Sequence, residues 1–150
     1  MSMTKELQFT VTIDATRQKV WKTMLEPASY NEWVGVSWPG SRYIGEWKKD
    51  ASIRFVGGDG LGGTLATIVD LKPNELVLAR HVAALNADGS EDRDSELARG
   101  WIGTTERYTF TDEGGKTRLD VDIVTSPEWE SMFNDGWPAA LIKLKELCER

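Results

Sequence analysis

Residues 126–150 read SPEWESMFNDGWPAALIKLKELCER, and this stretch decides the architecture. Ser126 is suited to cap a helix, and Pro127 behind it is a favoured first helical residue. Trp129, Met132, Phe133, Trp137, Ala140, Leu141, Leu144 and Cys148 then recur at three- and four-residue steps and form one apolar stripe. The spacing predicts a helix over 127–149, kinked at Pro138, which leaves the carbonyl of Asn134 without its helical donor. Lys143, Lys145 and Arg150 suit the negative end of the helix dipole. A stripe this rich in aromatic rings needs a cover, and the rest of the chain must supply it.

The cover reads as sheet. Leu7, Phe9, Val11 and Ile13 alternate with Gln8, Thr10, Thr12 and Asp14, which predicts an opening strand. Asp14 is placed to cap a helix over 15–25 that carries Val20, Trp21, Met24 and Leu25. Pro27 ends it, and Ala28 to Val34 form a second short helix with Tyr30 and Trp33. Strands follow at 42–48, 51–57, 62–71, 75–83, 100–111 and 116–125, separated by Lys49-Asp50, the glycine run 57–63, Pro73-Asn74, the segment 84–99 and Glu113-Gly114-Gly115. Strand–turn–strand order of this kind pairs antiparallel. The expected fold is α+β: a seven-stranded curved antiparallel sheet wrapped around the long C-terminal helix, with the two short helices after the first strand closing one end.

Composition fits one domain over residues 1–150. Lys and Arg number 18 against 24 Asp and Glu, a net charge of −6. That balance, with a pI near 4.9, argues against a nucleic-acid partner. There is no apolar run of about 18 residues and no apolar leader after Met1, so neither a membrane span nor a signal peptide is expected and the cytoplasm is the expected location. One cysteine, Cys148, and one histidine, His81, provide no disulfide, no cysteine zinc cluster and no His-pair metal motif. No cofactor is expected.

Three motif-like stretches read as structure. Gly58-Asp59-Gly60-Leu61-Gly62-Gly63 matches G-x-G-x-x-G, but a strand follows it rather than a helix, so Asp59-Gly60 is expected to be a hairpin turn. Gly35-Val36-Ser37-Trp38-Pro39 lacks the closing glycine and the preceding strand of a nucleophile elbow. Around Gly89 a calcium loop would put Ala84 and Ser95 at ligand positions, which fails. The acidic segment 84–99 is expected to be a solvated loop and the most mobile one.

Glu106 is the candidate polar centre. It shares strand parity with Tyr108 and Phe110, while Arg107 and Thr109 face out towards Asp120 or Asp122 of the next strand. An inward carboxylate needs a partner, because an unpaired buried charge costs several kcal/mol. Arg80 and His81 have opposite parity, so one of them faces in; Leu76 and Leu78 favour Arg80. Two readings stay open: an ion pair that fixes the strand, or a polar anchor or acid–base group for a ligand. The aromatics Trp33, Trp47, Trp101, Trp129, Phe133 and Trp137 fit a core and a cavity lining equally well.

The chain resembles the START-like, Bet v 1-like superfamily with its helix-grip fold. More narrowly it resembles the family named for the activator of the Hsp-90 ATPase homologue. The resemblance spans about residues 7–149. It is carried by Val20-Trp21, Trp33, Gly45-Glu46-Trp47, Ile53-Arg54-Phe55, Trp101, Glu106-Arg107-Tyr108, Phe133 with Gly136-Trp137-Pro138, Leu141 and Leu144-Lys145. It implies a hydrophobic cavity between sheet and long helix. Members bind lipids, hormones or polyketides, a minority catalyse reactions there, and co-chaperone activity belongs to founding members with a second domain. The expected function is binding of a small apolar or aromatic molecule. The candidate ligand-binding residues are Trp33, Trp47, Phe55, Arg80, Trp101, Glu106, Tyr108, Trp129, Phe133 and Trp137, with no catalytic residue and no metal ligand assigned. The alternatives are a cyclase- or hydratase-type enzyme using Glu106 with His81 or Arg80, and a co-chaperone-like domain with a protein partner.

Overall fold

The alternating opening segment forms strand β1, Lys5–Ile13, with Ile13 fully buried at its end. The structure, a computed structural model, describes residues 4–58 and 62–150. Thr16, not Asp14, caps the first helix: its side-chain oxygen accepts from the Lys19 N–H at 3.2 Å, and α1 runs Arg17–Leu25. Asp14 instead donates its backbone N–H to Glu149 at 2.8 Å, which ties the start of the chain to its end. Pro27 is both the stop of α1 and the first residue of α2, Pro27–Gly35.

The strands after α2 are β2 (Arg42–Ile44), β3 (Ser52–Val56), β4 (Gly63–Lys72) and β5 (Leu76–Leu85). They continue with β6 (Glu91–Asp92), β7 (Thr105–Glu113) and β8 (Lys116–Thr125). Between β6 and β7 lies helix α3, Glu96–Trp101. A 3-10 turn at Pro127–Trp129 leads into α4, Glu130–Cys148. The sheet order is β1-β8-β7-β5-β4-β3-β2, with β6 pairing β5 off that path, and every pair is antiparallel. The curved antiparallel sheet and the C-terminal helix are as expected, with eight strands in place of seven.

The extra strand comes from the segment 84–99, expected to be a loop. The acidic side chains are solvated as expected, Asp92 alone being half-buried, but Asp88 and Asp92 also act as local acceptors. Asp88 accepts from the Ser90 N–H at 2.9 Å and shapes the turn before β6. Asp92 accepts from the backbone N–H groups of Asp94 and Ser95, both at 3.1 Å, and Ser95 then caps α3 by accepting from Ala98. The strand expected from residue 100 therefore starts at Thr105, because Trp101 completes α3. The strand expected over 42–48 stops at Ile44. Gly45 follows with φ of +131°, and a Cβ there would lie 2.8 Å from the Ser52 carbonyl oxygen.

The glycine-rich stretch leads into β4, a strand. Val56 pairs with Gly63, and Gly57 donates to the Gly62 carbonyl at 2.8 Å, which closes a β3–β4 hairpin. The Asp59-Gly60 turn lies outside the described residues. Ser126 does not cap the final helix; its hydroxyl donates to the Gly100 carbonyl and ties the start of the 3-10 turn to α3. Helix α4 continues through Pro138 as one element and buries Phe133, Trp137, Ala140, Leu141, Leu144 and Cys148. Their cover includes Ile13, Val20, Met24, Val77, Phe110, Leu119, Val121 and Ile123 from β1, α1 and the central strands. No helix among the described residues is long and apolar enough to cross a membrane.

Gly136 sits where α4 meets Trp38, and a Cβ there would come within 2.2 Å of the indole Cζ2. Helix propensity favours alanine over glycine by about 1 kcal/mol, whereas overpacking costs about 1–3 kcal/mol. Gly136→Ala is therefore expected to lower the urea midpoint despite the better helix former. A raised midpoint would show that Trp38 moves aside at no cost.

Candidate functional site

Strand β5 presents Val77, Ala79, His81 and Ala83 to the interior, all buried. Arg80 points outward and is exposed. This corrects the expected pairing. Leu76 and Leu78, the larger residues, are only half-buried on the opposite face, while the concave face takes the smaller side chains. Reading the bulkiest residues as inward thus inverted the strand. On β7 the parity argument holds: Glu106, Tyr108 and Phe110 are buried, and Arg107 faces out opposite Asp122.

The consequence is a different partner for Glu106. His81 Nε2 lies 2.7 Å from Glu106 Oε2, with His81 2% and Glu106 9% exposed. The backbone fixes the pair. Ala79 is in register with Glu106, and beyond Arg80 the chain of His81 exchanges two hydrogen bonds with the Gly103–Thr104 turn, at 2.8 and 2.9 Å. The imidazole sits against Trp101, with ring centroids 4.8 Å apart, and Phe55 flanks it at 5.8 Å.

A cavity of about 870 Å³ opens in front of this pair. Trp33, Phe55, Trp101, Tyr108, Trp129, Phe133 and Trp137 line it together with His81 and Glu106. Of the ten candidate residues, Trp47 and Arg80 are not part of it. Trp47 packs against Tyr43 and Phe55 behind the wall, because the chain leaves the sheet at Gly45. Sequence reasoning did not assign Tyr30, which lines the cavity from α2, and weighed His81 as the less favoured partner. A signal for Tyr30 existed: it lies one turn before Trp33 on a short helix, and the two rings contact at 5.4 Å. Trp33 itself is held by an N–H donated to the Met24 carbonyl at 3.1 Å.

The walls are stacked rings. Trp101 stacks on Phe133 at 5.8 Å and 16°, and Trp137 contacts Trp33 at 5.7 Å and Tyr108 at 5.8 Å. Leu97 and Met132 are exposed at the rim. Burial pushes the Tyr30 and Tyr108 phenols well above the ordinary tyrosine value, and the nearby Glu106 carboxylate adds to both shifts. Both therefore stay protonated and neutral. The His81 Nδ1 atom and the indole nitrogens of Trp101, Trp129 and Trp137 are buried without a hydrogen-bond partner among the described residues. Chemically, the site offers a large apolar surface, a polar cluster where a carboxylate, an imidazole and two phenols meet, and further polar side chains including Thr64, Asn86 and Asp92.

A sequence profile of the Activator of Hsp90 ATPase homolog 1-like protein family matches residues 14–149. No curated protein matches the chain. Among solved structures, a Mesorhizobium loti protein superposes with a TM-score of 0.74 at 14% identity, over 95% of this chain and 96% of its own. The Aha1 dimer from Colwellia psychrerythraea gives 0.70 at 17%, over 97% and 96%. CalU16 from Micromonospora echinospora gives 0.68 at 16%, over 96% of this chain and 74% of its own. At these identities the likeness shows the helix-grip fold.

Two outcomes follow from the pair and its surroundings. His81→Leu alone should cost about 3–5 kcal/mol by stranding the Glu106 charge, and adding Glu106→Leu should recover most of it. Arg80→Met should change stability by less than about 0.5 kcal/mol. Urea denaturation of wild type, His81→Leu, Glu106→Leu, the double variant and Arg80→Met reads this, and additive effects at 81 and 106 would refute the coupling. The second outcome is alkaline. The folded chain keeps two phenolic protons that the unfolded chain loses near pH 10, so their contribution is intact below about pH 10 and is lost as the pH rises further. The loss is up to about 1.4 kcal/mol per pH unit for each tyrosine. Urea midpoints at pH 8 and pH 11, with phenolate absorbance, test it; ionisation of Tyr30 and Tyr108 in the folded chain at an unchanged midpoint would contradict it.

Proposed function

The chain belongs to the Activator of Hsp90 ATPase homolog 1-like family, and we propose that it is a binding protein for a small apolar or aromatic molecule held between the sheet and α4. The observation that carries this reading is the cavity of about 870 Å³, lined by aromatic rings with the buried His81–Glu106 pair among them. That size and that mixture of a large apolar lining with a few convergent polar groups are what small-molecule sites share. A chain selected only for stability gains by filling such a space, since unfilled volume costs stability. Here seven tryptophans are available and the space is left open. The rim residues Leu97 and Met132 give an apolar entrance that matches an apolar guest.

The neutral dye N-phenyl-1-naphthylamine, which fluoresces when it leaves water, tests the reading. The protein is expected to enhance its emission saturably with one site. Thr64→Trp, which places an indole into the cavity lining, should weaken binding at least tenfold, and Arg80→Met on the outer face should leave it unchanged. Saturable binding that survives Thr64→Trp would move the site elsewhere, and no saturable binding to wild type would remove the reading for apolar guests.

A further inference from the structure

We propose that the cavity takes an organic cation: an apolar body carrying a protonated or methylated amine, seated with its charge at Glu106. This rests on the small-molecule reading above and specifies its guest. The argument begins with the charge of the floor. Glu106 has one ion partner among the described residues, His81 at 2.7 Å. Arg80, the guanidinium one residue away, is turned out of the cavity. Among the described residues, the other charged ones lining the space are Arg42, which is exposed, and Asp92, whose carboxylate accepts from Asp94 and Ser95. The floor therefore carries a charge of −1 when the imidazole is neutral and zero when it is protonated. It is never positive.

Each protonation state gives the same order of guests. With a neutral imidazole, a cation meets an unbalanced carboxylate in a low-dielectric site, and an anion is repelled. With an imidazolium, an incoming cation can replace its proton as the counter-charge of Glu106. An anion would have to displace Glu106 itself from His81, and Glu106 is held near the start of β7, in register with Ala79 of β5 on one side and Ile123 of β8 on the other.

The walls act in the same direction. The indole nitrogens of Trp101, Trp129 and Trp137 have almost no accessible surface, so these rings present carbon and π-density to an occupant rather than N–H donors. Cations are attracted to such faces and anions are not. Tyr30 and Tyr108 add two further rings beside the carboxylate. The Glu106 side chain keeps 12% of its surface accessible while that of His81 keeps 3%, so the carboxylate is the more accessible member of the pair.

Three probes with one ring system test the inference by titration calorimetry: (2-naphthylmethyl)trimethylammonium, 2-naphthalenemethanol and 2-naphthoate. Wild type is expected to bind the cation at least tenfold tighter than the alcohol, with the carboxylate weakest. In Glu106→Gln most of the cation-to-alcohol preference should be lost, leaving only the part the aromatic faces supply, which separates the site from the general attraction of a chain with net charge −6. In His81→Gln, which keeps the carboxylate, the preference for the cation should persist. Equal affinities in wild type, a ratio that survives Glu106→Gln, or a ratio lost in His81→Gln each overturn the inference. If the alcohol binds without a preference for the cation, only this inference fails. If none of the probes binds, the small-molecule reading fails with it.

Discussion

A carboxylate placed on the inner face of a curved sheet needs a partner, and the local architecture around the cavity answers that demand. Glu106 enters the interior because β7 alternates and its neighbours Tyr108 and Phe110 belong there. His81 meets it because β5 lies alongside with Ala79 opposite Glu106. Left unpaired, such a charge would cost several kcal/mol, a large part of the stability of a domain of this size. The pair thus fixes which face of β5 points inward, and with it the outward position of Arg80.

The helix side of the cavity is held by hydrogen bonds at its edges rather than by filling. Ser37 donates to the Gly136 carbonyl at 2.6 Å, Ser126 binds Gly100 of α3, and Asp14 binds Glu149. These contacts tie the segment after α2 to α4, the start of the 3-10 turn before α4 to α3, and the chain beyond α4 to the end of β1. Phe133 and Trp137 then line the space while Ala140, Leu141 and Leu144 close the core beyond it. The rigid end and the open end of one helix follow from this division. Residues after Pro138 pack tightly, and residues before it frame the cavity.

Much of this was legible before any coordinates. The stripe from Trp129 to Cys148 and the alternation at Leu7 to Ile13 depend on periods that packing enforces, so helix-on-sheet architecture followed directly. Glu106 was legible for the same reason. Arg80 reads as inward when side-chain size stands in for burial, whereas the inner face of β5 takes Val77, Ala79, His81 and Ala83 and leaves Leu76 and Leu78 half-buried outside. The segment 84–99 was misread because its acidic residues look like charge in composition and act as caps in geometry, through Asp88, Asp92 and Ser95. Trp47 was misplaced for want of one backbone angle at Gly45. Contacts between distant segments, such as Ser126 with Gly100 of α3, leave almost no trace in a single sequence.

His81 is the only histidine in the chain, so its imidazole signals in a long-range proton–nitrogen NMR spectrum need no assignment. Titration with 2-naphthalenemethanol tests whether the paired floor is the site a guest occupies. The account predicts that the His81 signals shift saturably, with the same dissociation constant that calorimetry gives. Binding of the probe with those signals unmoved would contradict it, because the guest would then sit away from the pair around which the cavity is organised.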